Sequence, residues 1–258
     1  MNLFKSLIKK CISFSNSIDN KKEIDLNEII IHNLSEIKHF NKNQIDDLKD
    51  LLKDQIGTSL VESLYIINSL NKTIEIEGDV CEFGVAQGKT SKVLGYFIKE
   101  TNKKLFLTDS FEGLPEPSEK DELKDDIFNL GNIKNYQGKM SHNKEKVISE
   151  LKSIRFNEDK LVINKGFFNK KSMINMKLPT RVSFAYLDFD FYQPTLDGLN
   201  YLVKVLNIGG IIIVDDYDFF STGAKTSVDE WFNLNSKFYS KKVVKTANAS
   251  FVILEKIA

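Results

Sequence analysis

The stretch VSFAYLDFDFYQPTLDGLNYLVKVLNIGGIIIVDDYD, residues 182–218, decides the fold of this chain. It contains two apolar segments, the first ending in Asp188 and Asp190 and the second in Asp215 and Asp216. A helical pattern separates the segments, which is typical of two parallel strands joined by a crossover helix. In open parallel sheets the ligand site lies beyond the carboxyl ends of the strands. The sequence therefore predicts that all four aspartates meet at one edge of a sheet.

The two acidic pairs indicate a metal site. Carboxylates that crowd together repel one another and raise each other's pKa unless a cation or a proton relieves them. Mg²⁺ suits such a site because it takes a few carboxylate ligands and keeps waters that substrate oxygens can replace. An aspartate at a strand end can also simply cap a helix or a turn. Two pairs at neighbouring strand ends favour the shared site over that alternative.

The composition favours a reduced, cytoplasmic protein without a nucleic-acid partner. The 258 residues suffice for one α/β domain with an appendage. Lys+Arg and Asp+Glu are both 36, so no global field attracts a polyanion. The two cysteines, Cys11 and Cys81, lie far apart in unlike settings, which is typical of reduced thiols. No run of about 18 apolar residues is present, so no transmembrane segment is predicted.

Residues 1–72 are predicted to form a helical N-terminal cap, and residues 73–258 the main domain. The first part contains no proline and only one glycine, and its patterns predict helices over 24–40 and 44–70. Apolar residues within 3–12 also recur at helical spacing, which favours packing on protein over contact with a membrane surface. Such a cap would supply substrate contacts or a dimer face, so we expect a homo-oligomer.

A glycine loop opens the predicted sheet. Residues 78–91 contain an apolar strand that turns through Gly84 and Gly88 into a helix beginning near Thr90. Glycine allows a tight turn and lets a ligand approach the backbone closely. The backbone amides of Thr90 and Ser91 would then favour an anionic group such as a carboxylate or a phosphate.

Three cofactor hypotheses compete for this loop. The dinucleotide fingerprint fails because it needs a third glycine, and a phosphate-binding P-loop would need one more residue between the two glycines. The acidic-x-Gly-x-x-x-Gly loop of methyltransferases that use S-adenosylmethionine (SAM) fits Glu82, Gly84 and Gly88 directly. Asp109 ends the next predicted strand about 20 residues later, where a carboxylate can accept hydrogen bonds from ribose hydroxyls.

Four segments in this order resemble the macrocin O-methyltransferase family: 82–91, 109–115, 187–192 and 215–217. Members of that family are SAM-dependent, magnesium-requiring enzymes that methylate sugar hydroxyls of antibiotics and related glycosides. The resemblance implies a Rossmann-like class I SAM-dependent methyltransferase fold, in which a mostly parallel seven-stranded sheet follows the helical cap. A hairpin pattern over 242–255, centred on Asn248, suits the antiparallel end of such a sheet.

The resemblance also implies roles for individual residues. Asp188, Asp215 and Asp216 would hold Mg²⁺, and Asp190 would be the general base. The residues that would line the SAM site are Glu82, Gly84, Gly88, Thr90, Ser91, Asp109, Ser110, Ser141, Gly166, Phe167 and Phe168. Where the family often has glycine between the first two aspartates, this chain has Phe189.

Residues 116–141 are predicted to be a lid over SAM and the sugar. This stretch carries many charges and little periodicity, and loops of this length in compact domains are usually functional lids or disordered. His142 follows it and is interpreted as the start of a helix, with a role as an auxiliary base as the alternative.

The predicted function follows from what a methyl transfer requires. The methyl group of SAM is already activated, so the protein must align the acceptor oxygen and remove its proton. Mg²⁺ on two neighbouring hydroxyls would orient and acidify them, and Asp190 would accept the proton. The sequence thus predicts a SAM- and Mg²⁺-dependent O-methyltransferase acting on a small-molecule sugar or glycoside. The alternatives are a catechol-type Mg²⁺-dependent methyltransferase, a P-loop-like nucleotidase and a noncatalytic SAM-binding subunit.

Overall fold

The computed structural model describes residues 50–52, 55, 57–246 and 249–258. Most of the predicted N-terminal cap, including the pattern in 3–12, lies outside these residues. The same is true of Cys11 and of the predicted turn at Asn248. None of the helices in the described ranges is long and apolar enough to cross a membrane.

The domain is built on one seven-stranded sheet in the order β3-β2-β1-β4-β5-β7-β6. The strands are β1 Asp79–Phe83, β2 Leu105–Asp109, β3 Leu161–Lys165, β4 Val182–Leu187, β5 Leu206–Val214, β6 Tyr239–Lys245 and β7 Ser250–Lys256. Strands β1 to β5 pair in parallel, whereas β7 runs antiparallel to both β5 and β6. The predicted mostly parallel sheet that ends in an antiparallel hairpin is confirmed.

Five α-helices of the described chain flank the sheet: α1 Leu60–Lys72, α2 Lys89–Ile98, α3 Lys144–Ser153, α4 Tyr192–Val205 and α5 Gly223–Asn235. Short 3₁₀ helices cover Ile133–Tyr136, Glu158–Lys160 and Ser172–Asn175. The crossover helix between the two acidic strands is α4, as the pattern in the opening stretch predicted.

The prediction of one continuous helix over 44–70 was wrong. Residues 50–52 are helical, but Gln55 and residues 57–59 are not, and Gly57 has φ +88°. Ser59 caps α1 by accepting a hydrogen bond from the Glu62 N–H at 3.1 Å. The sequence Ser-x-x-Glu at this point is a capping-box signal for a new helix, and it outweighs the apolar periodicity that continues across it.

The two faces of the sheet bury separate cores. Strand residues alternate between the faces, so Ile211 and Ile213 face one core while Ile212 and Val214 face the other. The first core contains residues of α1, α2 and α3, and the second contains residues of α4 and α5. Cys81 lies in the second core as a fully buried free thiol, and burial raises its pKa.

Candidate functional site

The register of the sheet brings the two acidic strand ends together. Leu187 at the end of β4 pairs with Val214 at the end of β5. The ladder continues one residue further, because the Asp215 N–H donates to the Leu187 carbonyl at 2.9 Å. Carboxylate oxygens of Asp188, Asp190 and Asp216 consequently lie within 4.8 Å of one another.

Two of these three aspartates adopt a left-handed backbone conformation. Asp190 has φ +62° and Asp216 has φ +50°. Residues other than glycine rarely occupy this region, and they persist there only when the surrounding structure holds them. Such residues are concentrated at functional sites, where the turn aims a side chain that a regular strand would direct elsewhere.

The charges of the three aspartates are not compensated within the cluster. Burial, followed by the neighbouring Asp215 and Asp216 carboxylates, raises the pKa of Asp188 well above its usual range. Burial also raises the pKa of Asp190 and of Asp216, with further increases from Asp188 and from Asp215 respectively. A cluster of oxygen ligands that resists full ionisation suits a hard divalent cation such as Mg²⁺.

Asp215 differs from the other three aspartates. It continues the face of β5 that carries Ile211 and Ile213, and its carboxylate accepts the Tyr186 hydroxyl and, at 2.8 Å, the Asp216 N–H. These two hydrogen bonds use two of the about four lone-pair positions of a carboxylate, so a further ligand can still bind. The structure therefore places Asp215 at the cluster but directs it towards the first core.

Glu62 of α1 was not recognised from the sequence as part of this site. Its side chain is 2% exposed, and its Oε1 lies 3.3 Å from the Tyr186 hydroxyl that donates to Asp215. Burial, and then the Asp215 carboxylate, raises its pKa. The signal in the sequence was a glutamate one helical turn before Tyr65 and Ile66, both buried, where an apolar residue is expected.

Asp109 organises the glycine loop. One carboxylate oxygen accepts the N–H groups of Val85 at 2.6 Å and Ala86 at 3.1 Å, and the other accepts the Phe111 N–H at 2.6 Å. Since a carboxylate can accept about four hydrogen bonds and three are made here, about one more donor can bind, such as a ribose hydroxyl. The N–H groups of Val85 and Ala86 are not open to a phosphate, which removes the basis of the P-loop hypothesis.

The two glycines of the loop are required by packing within the protein. A Cβ on Gly84, which has φ +81°, would lie 1.8 Å from the Asp188 carbonyl oxygen. A Cβ on Gly88 would lie 2.9 Å from the Val147 Cα in α3. The predicted tight turn is confirmed by the positive φ of both glycines, and each glycine also leaves room for backbone of another segment of the chain.

Glu82, Thr90 and Ser91 form buried contacts beneath the loop. The Ser91 hydroxyl donates to Glu82 Oε2 at 2.5 Å, and the Thr90 hydroxyl lies 2.8 Å from the Thr58 hydroxyl. Burial raises the pKa of Glu82 to about 8, although the Ser91 hydrogen bond opposes the rise. The side chains of Thr90 and Ser91 thus fix α2 to its neighbours.

The remaining predicted SAM residues divide into two groups. Ser110, Ser141 and Gly166 gather around Asp109: the Ser141 hydroxyl donates to the Phe111 carbonyl at 3.3 Å, and the Gly166 N–H donates to the Asp109 carbonyl at 2.8 Å. The Ser110 hydroxyl donates to the Gly113 carbonyl at 2.8 Å and stabilises the turn itself.

Phe167 and Phe168, which follow Gly166, differ in exposure. Phe167 is 39% exposed, whereas Phe168 is buried with its ring centroid 5.6 Å from Phe189 and 5.1 Å from Phe83. Phe189 therefore fills space between core aromatic rings next to the acidic turn. Of the two phenylalanines, Phe167 is the one whose ring is accessible to a ligand.

The loop of residues 116–141 packs on the segments that follow both acidic pairs. Leu114, Tyr136, Phe191 and Phe220 form a buried cluster, and Leu123, Ile127, Leu130, Ile133 and Met140 pack against it. Phe191 follows Asp190, and Phe220 lies four residues after Asp216. His142 lies beyond the loop, and burial lowers the pKa of its imidazole.

Comparison with known proteins gives a family match and several similar structures. The family model described as Macrocin-O-methyltransferase (TylF) matches residues 21–238. A curated relative is 28% identical over 145 residues, 55% of this chain: the 8-demethyl-8-(2,3-dimethoxy-alpha-L-rhamnosyl)-tetracenomycin-C 4'-O-methyltransferase of Streptomyces olivaceus. The aligned part is 54% of that relative, so this chain spans about half its length.

Two solved structures show the same fold. The O-methyltransferase NovP has a TM-score of 0.64 at 17% identity, with 91% of this chain and 98% of NovP covered. The calicheamicin methyltransferase CalS11 has a TM-score of 0.59 at 15% identity, with 90% of this chain and 93% of CalS11 covered. The fold is therefore the Rossmann-like class I methyltransferase fold that the motifs predicted.

Proposed function

Since this chain belongs to the macrocin O-methyltransferase family, we propose that it transfers the methyl group of SAM to a hydroxyl of a sugar or glycoside and requires Mg²⁺. The observation that carries the proposal is the cluster of Asp188, Asp190 and Asp216, whose oxygens lie within 4.8 Å of one another at the carboxyl ends of parallel strands. In a class I methyltransferase fold this edge of the sheet is where the donor and the acceptor meet.

In the proposed site, Asp188, Asp215 and Asp216 hold the cation. Their oxygen-only donor set, and the raised pKa values of Asp188 and Asp216, fit a hard divalent ion. Asp215 keeps its hydrogen bond from Tyr186 and offers its remaining lone pairs. When bound, Mg²⁺ would supply an electrophilic anchor for the acceptor hydroxyl and a neighbouring sugar oxygen, and would lower the pKa of the hydroxyl to be methylated.

Asp190 is the proposed general base. Its carboxylate lies within the same cluster as two of the proposed ligands, so it can reach a hydroxyl that is bound there. The left-handed turn at Asp190 holds the carboxylate at the edge of the sheet. Because burial raises its pKa, the carboxylate is a stronger base than an exposed aspartate.

The proposed SAM site lies at the carboxyl ends of β1, β2 and β3. Asp109 has one free acceptor position for a ribose hydroxyl, and Gly166 and Ser141 lie beside it. The exposed ring of Phe167 offers an apolar surface to the adenine. These residues would orient the donor so that its methyl group faces the acidic cluster.

The proposed acceptor is a sugar hydroxyl with a second oxygen next to it, from a hydroxyl or a methoxy group. The curated relative is named for methylation of a 4' hydroxyl on a rhamnosyl group, which supports a deoxysugar glycoside as the first class to test. A homo-oligomer, expected from residues 1–72, is a separate proposal that light scattering on the full chain tests.

The decisive experiment supplies labelled SAM, Mg²⁺ and a panel of rhamnosides, other glycosides and catechols to the purified full-length chain. We expect label in a glycoside, loss of transfer with a chelator and recovery with added Mg²⁺. Asp190→Asn should lower turnover by about 100- to 10,000-fold while leaving SAM affinity, measured by calorimetry, unchanged. Transfer to catechols alone would contradict the sugar assignment, and a failure to bind SAM would contradict the methyltransferase assignment.

A further inference from the structure

One buried carboxylate, Asp121, connects the 116–141 loop to the turn that carries Asp190. Asp121 is 4% exposed, and its Oδ2 accepts the N–H and the hydroxyl of Ser118, both at 2.7 Å. Its Oδ1 accepts the backbone N–H of Tyr192 at 2.7 Å. Tyr192 lies two residues after Asp190, so the loop is hydrogen-bonded to the main chain next to the proposed base.

Asp121 also supplies a cap that α4 lacks locally. The N-cap position of α4 is Phe191, whose side chain cannot accept a hydrogen bond. The carboxylate that takes this role comes from 71 residues earlier in the chain. A negative charge at this end of a helix is favourable because of the unpaired N–H groups and the helix dipole.

Gly223, the first residue of α5, leaves the space that Asp121 occupies. A Cβ at Gly223 would lie 1.8 Å from Asp121 Oδ1 and 2.5 Å from the Tyr192 nitrogen. The loop, the start of α4 and the start of α5 therefore meet at this carboxylate. No larger residue fits at position 223 while Asp121 holds Tyr192.

The same part of the loop is also attached to the segment that follows the second acidic pair. The Lys124 N–H donates to the Phe220 carbonyl at 2.8 Å, and the Thr222 N–H donates to the Glu122 carbonyl at 3.1 Å. Leu123 and Ser221 form an isolated antiparallel bridge. Residues 121–124 thus contact the chain that follows each of the two strained acidic turns.

We propose that Asp121 is a positioning residue: its hydrogen bond to Tyr192 couples docking of the 116–141 loop to the conformation of Asp190. The left-handed turn at Asp190 needs support from its surroundings, and the bond from Tyr192 to Asp121 holds the main chain two residues after it. The acidic site is complete only when the loop is docked. The expected effect on the rate of methyl transfer rests on the proposed function, whereas the expected effect on the conformation at Asp190 does not.

The test uses three variants of the full chain and one matched control. Asp121→Ala removes both hydrogen-bonded oxygens, Gly223→Ala displaces an intact Asp121, and Asp121→Asn keeps one oxygen for the Tyr192 N–H. The control is Lys124→Met, which removes an exposed ion pair with Asp218 from the same loop segment. Hydrogen exchange followed by mass spectrometry reports peptides covering 116–124 and 189–193.

We expect Asp121→Ala and Gly223→Ala to speed exchange at 189–193 as well as in the loop, while Asp121→Asn and Lys124→Met stay close to wild type at 189–193. In methyl transfer, the first two variants should lower kcat by up to about 100-fold, with the KM for SAM changed by less than about twofold. Asp121→Asn should recover most of kcat. A role limited to stability would lower the melting temperature and leave kcat per folded molecule unchanged.

Unchanged exchange at 189–193 in both Asp121→Ala and Gly223→Ala would overturn the coupling. An unchanged kcat in both variants, with faster exchange, would overturn the positioning role. If Asp121→Ala does not fold, Gly223→Ala against Lys124→Met decides in the same way. If the wild-type chain transfers no methyl group, the proposed function fails, and hydrogen exchange still tests the coupling by itself.

Discussion

The two edges of the sheet differ in how their charged side chains are paired. At the amino edge, formed by the amino ends of the strands, the buried Lys103 uses all three ammonium hydrogens: it donates to the Ile76 and Gly78 carbonyls and to the Ser183 hydroxyl at 2.5, 2.7 and 3.0 Å. At the carboxyl edge, formed by the carboxyl ends of β1 to β5, carboxylates crowd together. Within the described ranges, none of the ion pairs involves Asp188, Asp190 or Asp216.

The difference indicates that the amino edge serves stability and that the carboxyl edge serves function. A fully hydrogen-bonded buried charge costs much to disrupt, because removing it leaves its partners unpaired. A cluster of unpaired carboxylates destabilises the fold, and proteins retain such features where a ligand or a reaction needs them. The chain is neutral overall, with 36 acidic and 36 basic residues, so the imbalance arises from placement.

Among the proposed metal ligands, the largest effect is expected from Asp188→Asn. It removes a proposed ligand, so methyl transfer should fall by about 100- to 1,000-fold. In the absence of divalent cations, the same variant should unfold at higher urea concentration, since it relieves repulsion that raises the pKa of two neighbouring carboxyls, Glu62 and Asp190. We expect a gain of about 0.5 to 2 kcal/mol, the usual range when an unfavourable charge is removed by one substitution. Lower stability of the metal-free variant would contradict this account of the carboxyl edge.

Lys103→Met should have the opposite profile. The substitution leaves two carbonyls and a hydroxyl without their charged donor, which should lower the free energy of unfolding by about 2 to 4 kcal/mol. Methyl transfer per folded molecule should be unchanged, since Lys103 lies at the other edge of the sheet.

Arg181→Met is the matched control at the same edge. Arg181 pairs with Glu77, and their side chains are 60% and 71% exposed, so loss of the pair should cost about 0.5 kcal/mol or less. Chemical denaturation of both variants measures the difference. If Lys103→Met loses no more free energy of unfolding than Arg181→Met does, the buried hydrogen bonds of Lys103 contribute nothing to stability.

A smaller effect distinguishes the roles of Asp215 and Asp190. We expect Asp215→Asn to weaken Mn²⁺ binding by about 10- to 100-fold, as loss of a group in a metal site commonly does. Asp190→Asn should keep Mn²⁺ affinity within a few-fold and lose turnover. Titration of each variant with Mn²⁺, followed by the electron paramagnetic resonance of the free ion, gives both affinities. The reverse order would make Asp190 a ligand, in agreement with its proximity to Asp188 and Asp216.

The comparison also explains what the sequence could predict. The strands and the convergence of the acidic pairs follow from apolar runs that end in turn residues, because parallel register brings strand ends to one level. The tight turn at the glycines was predicted correctly, but a further reason for Gly84 was not: it makes room for the Asp188 carbonyl, a contact between segments more than 100 residues apart. Glu62 and Asp121 were not predicted as site residues, also because their contacts join distant parts of the sequence. Their partners, Tyr186 and Tyr192, are brought near by the fold, and no local pattern marks the pairing.

An effect on the pH dependence of stability is expected at Glu82, which is buried at the carboxyl edge but is not a proposed metal ligand. Its pKa rises from an ordinary value of 4.5 to about 8 in the folded chain. The folded state then binds a proton more tightly than the unfolded state between these values. The stabilising contribution is therefore fully present below the lower value and is lost as the pH rises through the higher one.

Glu82→Gln should accordingly reduce the loss of stability between about pH 5 and about pH 8, which urea denaturation across that range measures. The amide still accepts the Ser91 hydroxyl, so packing under the loop is kept. The matched variant is Glu150→Gln on α3, because lysines at 2.8 and 3.2 Å lower the pKa of Glu150 against the effect of burial. Glu150→Gln should leave the pH dependence of the free energy of unfolding in this range unchanged. If the free energy of unfolding depends on pH equally in wild type and in Glu82→Gln, Glu82 is ionised like an exposed glutamate. The carboxylates that oppose folding would then be those at the ends of β4 and β5.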